Sequence, residues 1–334
     1  MNAPDKTATA ANMVTIVPES EIGGLMDAAS AFDAVEATFA AMARGDAYNF
    51  PVIREAIGHA DALYGFKSGF DKAALALGLK SGGYWPGNEA RGLTNHQSTV
   101  ILFDADTGRV KALVGGNLLT ALRTAAASAV SIAHLSRKDS KVLGMVGAGH
   151  QSAFQMRAAC AQRDFDKVVG WNYHPEMLSR LEDTAKELGL PFEAVEREDL
   201  CAQADVIITI TSSHDAQLMA DWVKPGTHVA CMGTDTKGKQ EVDPALLARA
   251  SVFTDEVAQS VTLGEAQHAV AQGLIKEADI TPIGAVIEGT AKGRTSDDQV
   301  TLFDGTGVGL QDLAVAAKVV DLALKAGKAQ QVPF

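Results

Sequence analysis

Apolar positions recur along this chain in two rhythms. Phe32, Val35, Phe39 and Met42 follow helical spacing, with Ser30 as the expected N-cap and Gly45 as the stop. From there to Gly116 the rhythm shortens, and residues 62–69, 75–82, 98–103 and 110–114 read as strands broken by glycine, asparagine and Asp-Thr-Gly turns. Asn117 is the expected cap of a long alanine-rich helix running to about Leu135. From Lys141 onward strands and helices alternate. Residues 141–146, 167–171, 205–211, 227–232, 251–254 and 300–303 are strand candidates, with helical patterns at 153–163, 175–188 and 245–250, the last opened by Asp243-Pro244. Such alternation predicts a parallel, doubly wound sheet. A final amphipathic helix, 310–325, is long enough to return to the first domain. The expected fold is α/β, with a Rossmann domain at 123–307 and an α+β domain for substrate and dimerisation at 13–122 plus 308–334. Residues 1–12 are expected to form a disordered tail.

Gly147-Ala148-Gly149-His150-Gln151-Ser152 stands between an apolar run and a helical segment, the context a dinucleotide fingerprint requires. Gly147 permits the tight turn and Gly149 the close approach of backbone to a pyrophosphate, while the helix N-terminus supplies N–H groups. Ser152 takes the third glycine position as a small residue. The next strand ends in Asn172-Tyr173-His174, where a ribose-binding carboxylate is usual. Asn172 still bonds a hydroxyl but lacks the charge that repels a 2′-phosphate. No arginine adjoins it in sequence, so NAD is favoured over NADP.

With 334 residues, 47% apolar and 21% charged, the chain has material for two domains. A formal charge of −12 argues against nucleic acid as a partner. Cys160, Cys201 and Cys231 are odd in number and widely spaced, which points away from disulfides and zinc and toward a reducing compartment. Residues 1–13 contain no apolar signal core, and no apolar run reaches the ~18 residues of a membrane span. A soluble, cytoplasmic protein is expected.

Four cations stand out in the N-terminal half. Arg54 follows Phe50-Pro51-Val52-Ile53, read as a rigid turn, and Lys67 and Lys80 interrupt strands. Strand lysines usually face solvent. Arg123 sits in an otherwise apolar helix start, where an isolated buried cation is unfavourable unless an anion joins it. Asp235, in Met232-Gly233-Thr234-Asp235, follows a strand end, where ligand sites of doubly wound sheets gather; Asp304 follows another, and either also fits a turn. His96 and His150 are candidate proton carriers, although lone histidines more often serve packing. Nucleophilic triads and metal motifs find no support.

The chain resembles the ornithine cyclodeaminase/mu-crystallin family. The matching strings are Asn95-His96-Gln97, Thr120-Ala121-Leu122-Arg123-Thr124-Ala125-Ala126, the glycine loop from Gly147 to Ser152, Gly233-Thr234-Asp235, Gly293-Arg294-Thr295-Ser296-Asp297 and Val300-Thr301-Leu302-Phe303-Asp304. The resemblance implies a Rossmann domain, a split substrate domain and a homodimer. It places Arg54 and Lys80 on the substrate carboxylate, with Thr306 nearby, and Arg123 on both cofactor and substrate. Asp235 becomes the acid/base, and Lys80 joins it as a catalytic residue. Asn95, Thr124, Gly147, Gly149, His150, Gln151, Asn172, Thr211, Met232, Lys239 and Gly305 fall on dinucleotide contacts. Ornithine-using members place an acidic residue before Lys80 for the distal ammonium, whereas this chain carries Tyr64-Gly65-Phe66-Lys67-Ser68. A lysine there attracts a second carboxylate and repels a diamine. Tyr84 and Trp85 are expected to tighten the pocket. The expected reaction is NAD(H)-dependent reduction of a small 2-imino acid, iminosuccinate to aspartate, with no metal. The alternatives are ornithine cyclodeamination and cofactor binding without catalysis, as in mu-crystallins.

Overall fold

The computed structural model describes residues 13–334, so the tail expected at 1–12 lies outside the described residues. The chain divides into two compact units: one ends at Arg123 and resumes as Val308–Phe334, and the other is Thr124–Gly307.

The first unit is built on an eight-stranded sheet ordered Gln330–Pro333, Met13–Val17, Val110–Gly115, His96–Phe103, Ala76–Tyr84, Leu63–Asp71 and Ala47–Asn49, with Ile53–Ala56 also pairing to Leu63–Asp71. The pairings are antiparallel except for Met13–Val17 against Val110–Gly115. Arg54 therefore lies on an edge strand rather than in the expected turn. The helices Ala28–Arg44 and Gly309–Ala326 pack against each other, and the latter also covers the sheet. Val35 and Phe39 are buried on the first, and Leu313, Val319 and Val320 on the second. Ala28–Arg44 opens one turn earlier than expected, because Asp27 rather than Ser30 is the cap and accepts from Ser30 N at 2.7 Å. Gly45, at φ 75°, closes it in the left-handed conformation that glycine adopts without strain.

Thr124–Gly307 holds a second eight-stranded sheet, parallel throughout. Its order is Phe192–Ala194, Lys167–Trp171, Val142–Val146, Val206–Thr209, His228–Cys231, Thr301–Asp304, Ser251–Thr254 and Ile280–Pro282. Val206–Thr209, His228–Cys231 and Thr301–Asp304 are buried along their whole length, as strands covered on both faces must be. The order reverses at Val142–Val146, flanked by the strands that follow it on either side. This is the doubly wound arrangement of a Rossmann domain.

The boundary between the units falls within the helix Asn117–Leu135. By length and composition this helix passes as a membrane span, contrary to the expected absence of such a run, but 78% of its apolar window is buried within the protein. Its cap also differs from expectation. Asn117 turns its Oδ1 to Ser98 N at 2.8 Å, and the first-turn N–H groups of Asn117 and Leu118 instead donate to the Glu19 carboxylate at 3.1 and 2.6 Å. A negative charge at that end also complements the helix dipole. Glu19→Ala is accordingly expected to lower stability by about 1–2 kcal/mol, read from the urea midpoint.

Candidate active site

In the first unit, antiparallel register places Lys67 directly opposite Lys80, and Arg54 opposite Gly65. Residues opposite one another, and residues two apart, share a face, so Arg54, Lys67 and Lys80 lie on one face of the sheet. Gly65 and Gly82 lie on the same face and project no side chain. The helix Gly309–Ala326 begins directly on this surface: a Cβ on Gly309 would stand 2.7 Å from Ser68 N. That approach delivers Asp312. Its Oδ1 accepts from Lys80 Nζ at 2.9 Å and from Arg123 Nε at 3.0 Å, while Lys80 also donates to Thr120 Oγ1 at 3.3 Å and Arg123 to Gln311 Oε1 at 3.2 Å. Lys80, Arg123 and Asp312 are all buried. Lys80 thus departs from the solvent-facing habit of strand lysines.

Burial, reinforced by the Arg123 charge, pulls Lys80 down to about 7 against the opposing pull of Asp312. Burial pushes Asp312 up, but Arg123 and Lys80 outweigh it and hold the carboxyl below its ordinary value. His96 is lowered to about 4 by burial and then by Lys80 and Arg123, with Arg54 adding to the effect, so its ring is neutral near pH 7. Asn95 uses its carboxamide to accept from Glu89 N at 3.2 Å and to donate to the Tyr84 hydroxyl at 3.3 Å. Tyr84 remains exposed, and Trp85 packs edge-on to Tyr64, ring centroids 6.3 Å apart. Sequence reasoning missed Asp312 and Gln311. The signal was present as two adjacent polar residues on a stretch that is otherwise the apolar face of the last helix.

The second unit has its crevice where the strand order reverses. A cavity of about 350 Å³ is lined there by Gly147, Gly149, Trp171, Asn172, Thr211 and their neighbours. Gly147 adopts φ 110°, and a Cβ would stand 2.6 Å from Ile210 O, so only glycine fits. Gly149 faces open space, which suits the approach of a pyrophosphate to the start of the nine-residue helix Ser152–Cys160. Asn172 lines the cavity while its carboxamide braces the loop, accepting from Ala148 N and donating to His174 O, each at 2.9 Å. His150 is exposed beside Phe154, and Gln151 precedes the helix. Thr124 is buried in the helix immediately after Arg123.

Asp235 lies beyond the end of His228–Cys231 and is half-buried; Lys239 Nζ donates to its Oδ1 at 2.9 Å and to Gly233 O at 3.1 Å. Met232 and Gly305 are packed together, since a Cβ on Gly305 would stand 2.6 Å from the Met232 thioether. Thr306 donates its hydroxyl to Asp255 Oδ1 at 2.6 Å. Asp304 is fully buried, accepts from Ser260 Oγ at 2.5 Å, and acts as a structural brace.

Two further carboxylates, unmarked by any sequence motif, gather these loops. Glu241 accepts from Thr209 Oγ1, Thr211 N, Thr211 Oγ1 and Gly233 N at 2.6–2.8 Å, tying two strand ends together. Glu265 accepts from Thr234 Oγ1, Glu241 N and Val242 N at 2.5–2.9 Å. Burial, with the Glu241 charge beside it, pushes Glu265 up to about 8.

The ornithine cyclodeaminase/mu-crystallin family matches residues 11–327, and the chain belongs to it. It is 68% identical over 317 residues to an iminosuccinate reductase of Paracoccus denitrificans, covering 95% of this chain and 99% of that protein. The crystal structure of the P. denitrificans iminosuccinate reductase in complex with NAD+ is similar at a TM-score of 0.93 and 67% identity, covering 96% of this chain and 100% of that one. An archaeal alanine dehydrogenase dimer with bound NAD is similar at a TM-score of 0.90 and 31% identity, covering 96% and 99%.

The raised Glu265 carboxyl has a consequence for stability. Its folded form holds a proton that the unfolded chain releases at lower pH, so its contribution is present below its ordinary value of 4.5 and is lost as pH rises to about 8. Denaturation midpoints are expected to fall across that window, and Glu265→Gln to flatten part of the fall.

Proposed function

We propose that this protein is an NAD-dependent reductase of a 2-imino acid, and that the acid is iminosuccinate, giving aspartate. The observation that carries this reading is the gathering of Arg54, Lys67 and Lys80 on one sheet face, with Arg123 joined to Lys80 through the buried Asp312. A face that gathers cations in this way suits a dianion. Arg54 and Lys80 hold the α-carboxylate, and Lys67 takes the second carboxylate through a charge-assisted hydrogen bond. The open approach at Gly149, the glycine turn at Gly147 and the cavity beside Asn172 suit NAD. Bound NADH supplies a hydride to the imino carbon. Asp235 handles the proton at the substrate nitrogen, so that the C=N bond gains one hydride and one proton. Lys239 holds the Asp235 carboxylate in place. The similarity to the Paracoccus iminosuccinate reductase supports the same reaction. Ornithine fits poorly, because its distal ammonium would meet Lys67.

The exposed side chains of Tyr48, Phe50, Ile53 and Phe66 form an apolar patch, with Tyr48 and Phe50 rings 5.7 Å apart and Ile53 opposite Phe66. That patch and the dimeric state of the archaeal alanine dehydrogenase support a homodimer, which light scattering reads as twice the 34.9 kDa chain mass. The free thiols Cys160, Cys201 and Cys231 fit a cytoplasmic location.

The decisive assay follows NADH consumption with oxaloacetate plus concentrated ammonium, beside pyruvate plus ammonium. Consumption that needs ammonium and favours oxaloacetate is expected; ammonia release from ornithine with no keto-acid reaction would overturn the proposal. Lys67→Ala is expected to raise KM for iminosuccinate at least about tenfold more than KM for iminopropionate, the loss of one charge-assisted bond.

A further inference from the structure

We propose that Asp312 is a positioning residue for the substrate anion: through one oxygen it holds the Lys80 ammonium and the Arg123 guanidinium side by side, so that both meet the carboxylate together. This inference rests on the reading above that the cluster receives a carboxylate.

The geometry is specific. Asp312 Oδ1 lies 2.9 Å from Lys80 Nζ and 3.0 Å from Arg123 Nε, bringing together a strand, the helix Asn117–Leu135 and the last helix. Asp312 is fully buried, so the contact is not loosened by water. Glu241, Glu265 and Asp255 each accept hydrogen bonds on both oxygens. Asp312 takes both cations on Oδ1, and its Oδ2 is buried with no hydrogen-bond partner among the described residues. Asp304 also leaves one buried oxygen unbonded, but its other oxygen takes the neutral donors Ser260 Oγ and Ala266 N, whereas Asp312 takes two cations. An ammonium has three donors, and Lys80 directs two of them to Asp312 and Thr120, leaving the third for a ligand.

The charges around Lys80 make Asp312 decisive. Lys67 faces it across the strand pair, and Arg123 and neutral Thr120 come from the helix. His96, on the next strand, feels Lys80, Arg123 and Arg54, and is itself neutral near pH 7. Asp312, on the last helix, is the acidic group paired with Lys80, at 2.9 Å, and it raises the Lys80 ammonium against burial and the cations. Burial and its cationic neighbours already bring Lys80 down to about 7. Without Asp312 the ammonium would shed its proton at lower pH still, and a neutral amine beside Arg123 attracts a carboxylate far less.

The test uses calorimetric titration of the NAD-loaded protein with succinate across pH, in two buffers of different ionisation enthalpy. In the unaltered protein, succinate binding above about pH 7 is expected to draw in one proton as Lys80 becomes charged. Asp312→Asn is expected to move the onset of proton uptake at least about one unit lower and to weaken succinate roughly tenfold above that pH. Asp312→Glu, which keeps the charge on a longer arm, is expected to retain the onset while weakening succinate a few fold. An unmoved onset with unchanged affinity in Asp312→Asn overturns the proposal, as does Asp312→Glu behaving like Asp312→Asn. If Asp312→Asn does not fold, Asp312→Glu decides, since a shifted onset or an unchanged affinity there is equally fatal. Failure of the unaltered protein to bind succinate overturns it too. Succinate binding without imine reduction would instead overturn the assigned reaction and leave the role of Asp312 standing.

Discussion

A carboxylate removed from water is tolerated only where several donors converge on it, and that constraint organises both units. Glu19 takes two N–H groups of a helix that begins 98 residues later in the chain. Asp205 takes Lys141 N and Val142 N together with Arg137 and Lys224, fixing the start of the first parallel strand. Glu241 and Asp255 do the same at the opposite edge of that sheet, where Thr211, Gly233, Thr306 and Gly307 leave their strands. Loops at the carboxyl ends of parallel strands would otherwise be free to wander. Four donors on one Glu241 turn two of them into a rigid frame, which is what a site with sub-ångström requirements needs.

The two units meet the same constraint with opposite electrostatics. In Thr124–Gly307 the buried acids are met mostly by neutral hydroxyls and backbone N–H groups, so burial raises Glu241, and burial with neighbouring carboxylate charge raises Glu265 and Asp304. In the first unit Asp312 faces Arg123, Lys80 and Lys67 and is lowered instead. One arrangement raises its acids, while the other gathers cations around a carboxylate that stays low. On a chain of net charge −12 that gathering of cations is conspicuous. The net negative charge of the chain repels anions at long range, while the cluster attracts them at short range, where salt screens less.

Much of the frame was legible because its signals are local. Gly147 announces a turn that only glycine can make, and Asp243-Pro244 opens its helix as read, with Asp243 accepting from Ala245 N. The short edge strands Ile53–Ala56 and Phe192–Ala194 were not legible, since three or four residues carry too little periodicity and pairing alone makes them strands. Asn117 and Ser30 were read as caps from residue type. The actual caps differ because Glu19 arrives from far away, and because Asp27 competes with Ser30 within one turn. Arg123 is the instructive residue of the site. A buried cation does need an anion, as the sequence argument held, but the chain supplies one from position 312, 189 residues on. Long-range pairs of this kind leave no trace in spacing.

In the proposed reaction, selectivity follows from the register of the strand pair. Side chains directly opposite one another across an antiparallel pair lie about 5 Å apart at Cβ, closer than the roughly 7 Å between alternate residues along one strand. Lys67 and Lys80 are such a pair. A four-carbon diacid, whose carboxylates are separated by two carbons, spans neighbours across strands better than neighbours along one. On the proposed reading, position 67 is where the sign of a substrate's second group is read. On that reading a carboxylate there would accept a distal ammonium and the lysine present a distal carboxylate, with Arg54 and Lys80 unchanged on the α-carboxylate beside it. A change of substrate class then requires a change of charge at one strand position and leaves the fold intact.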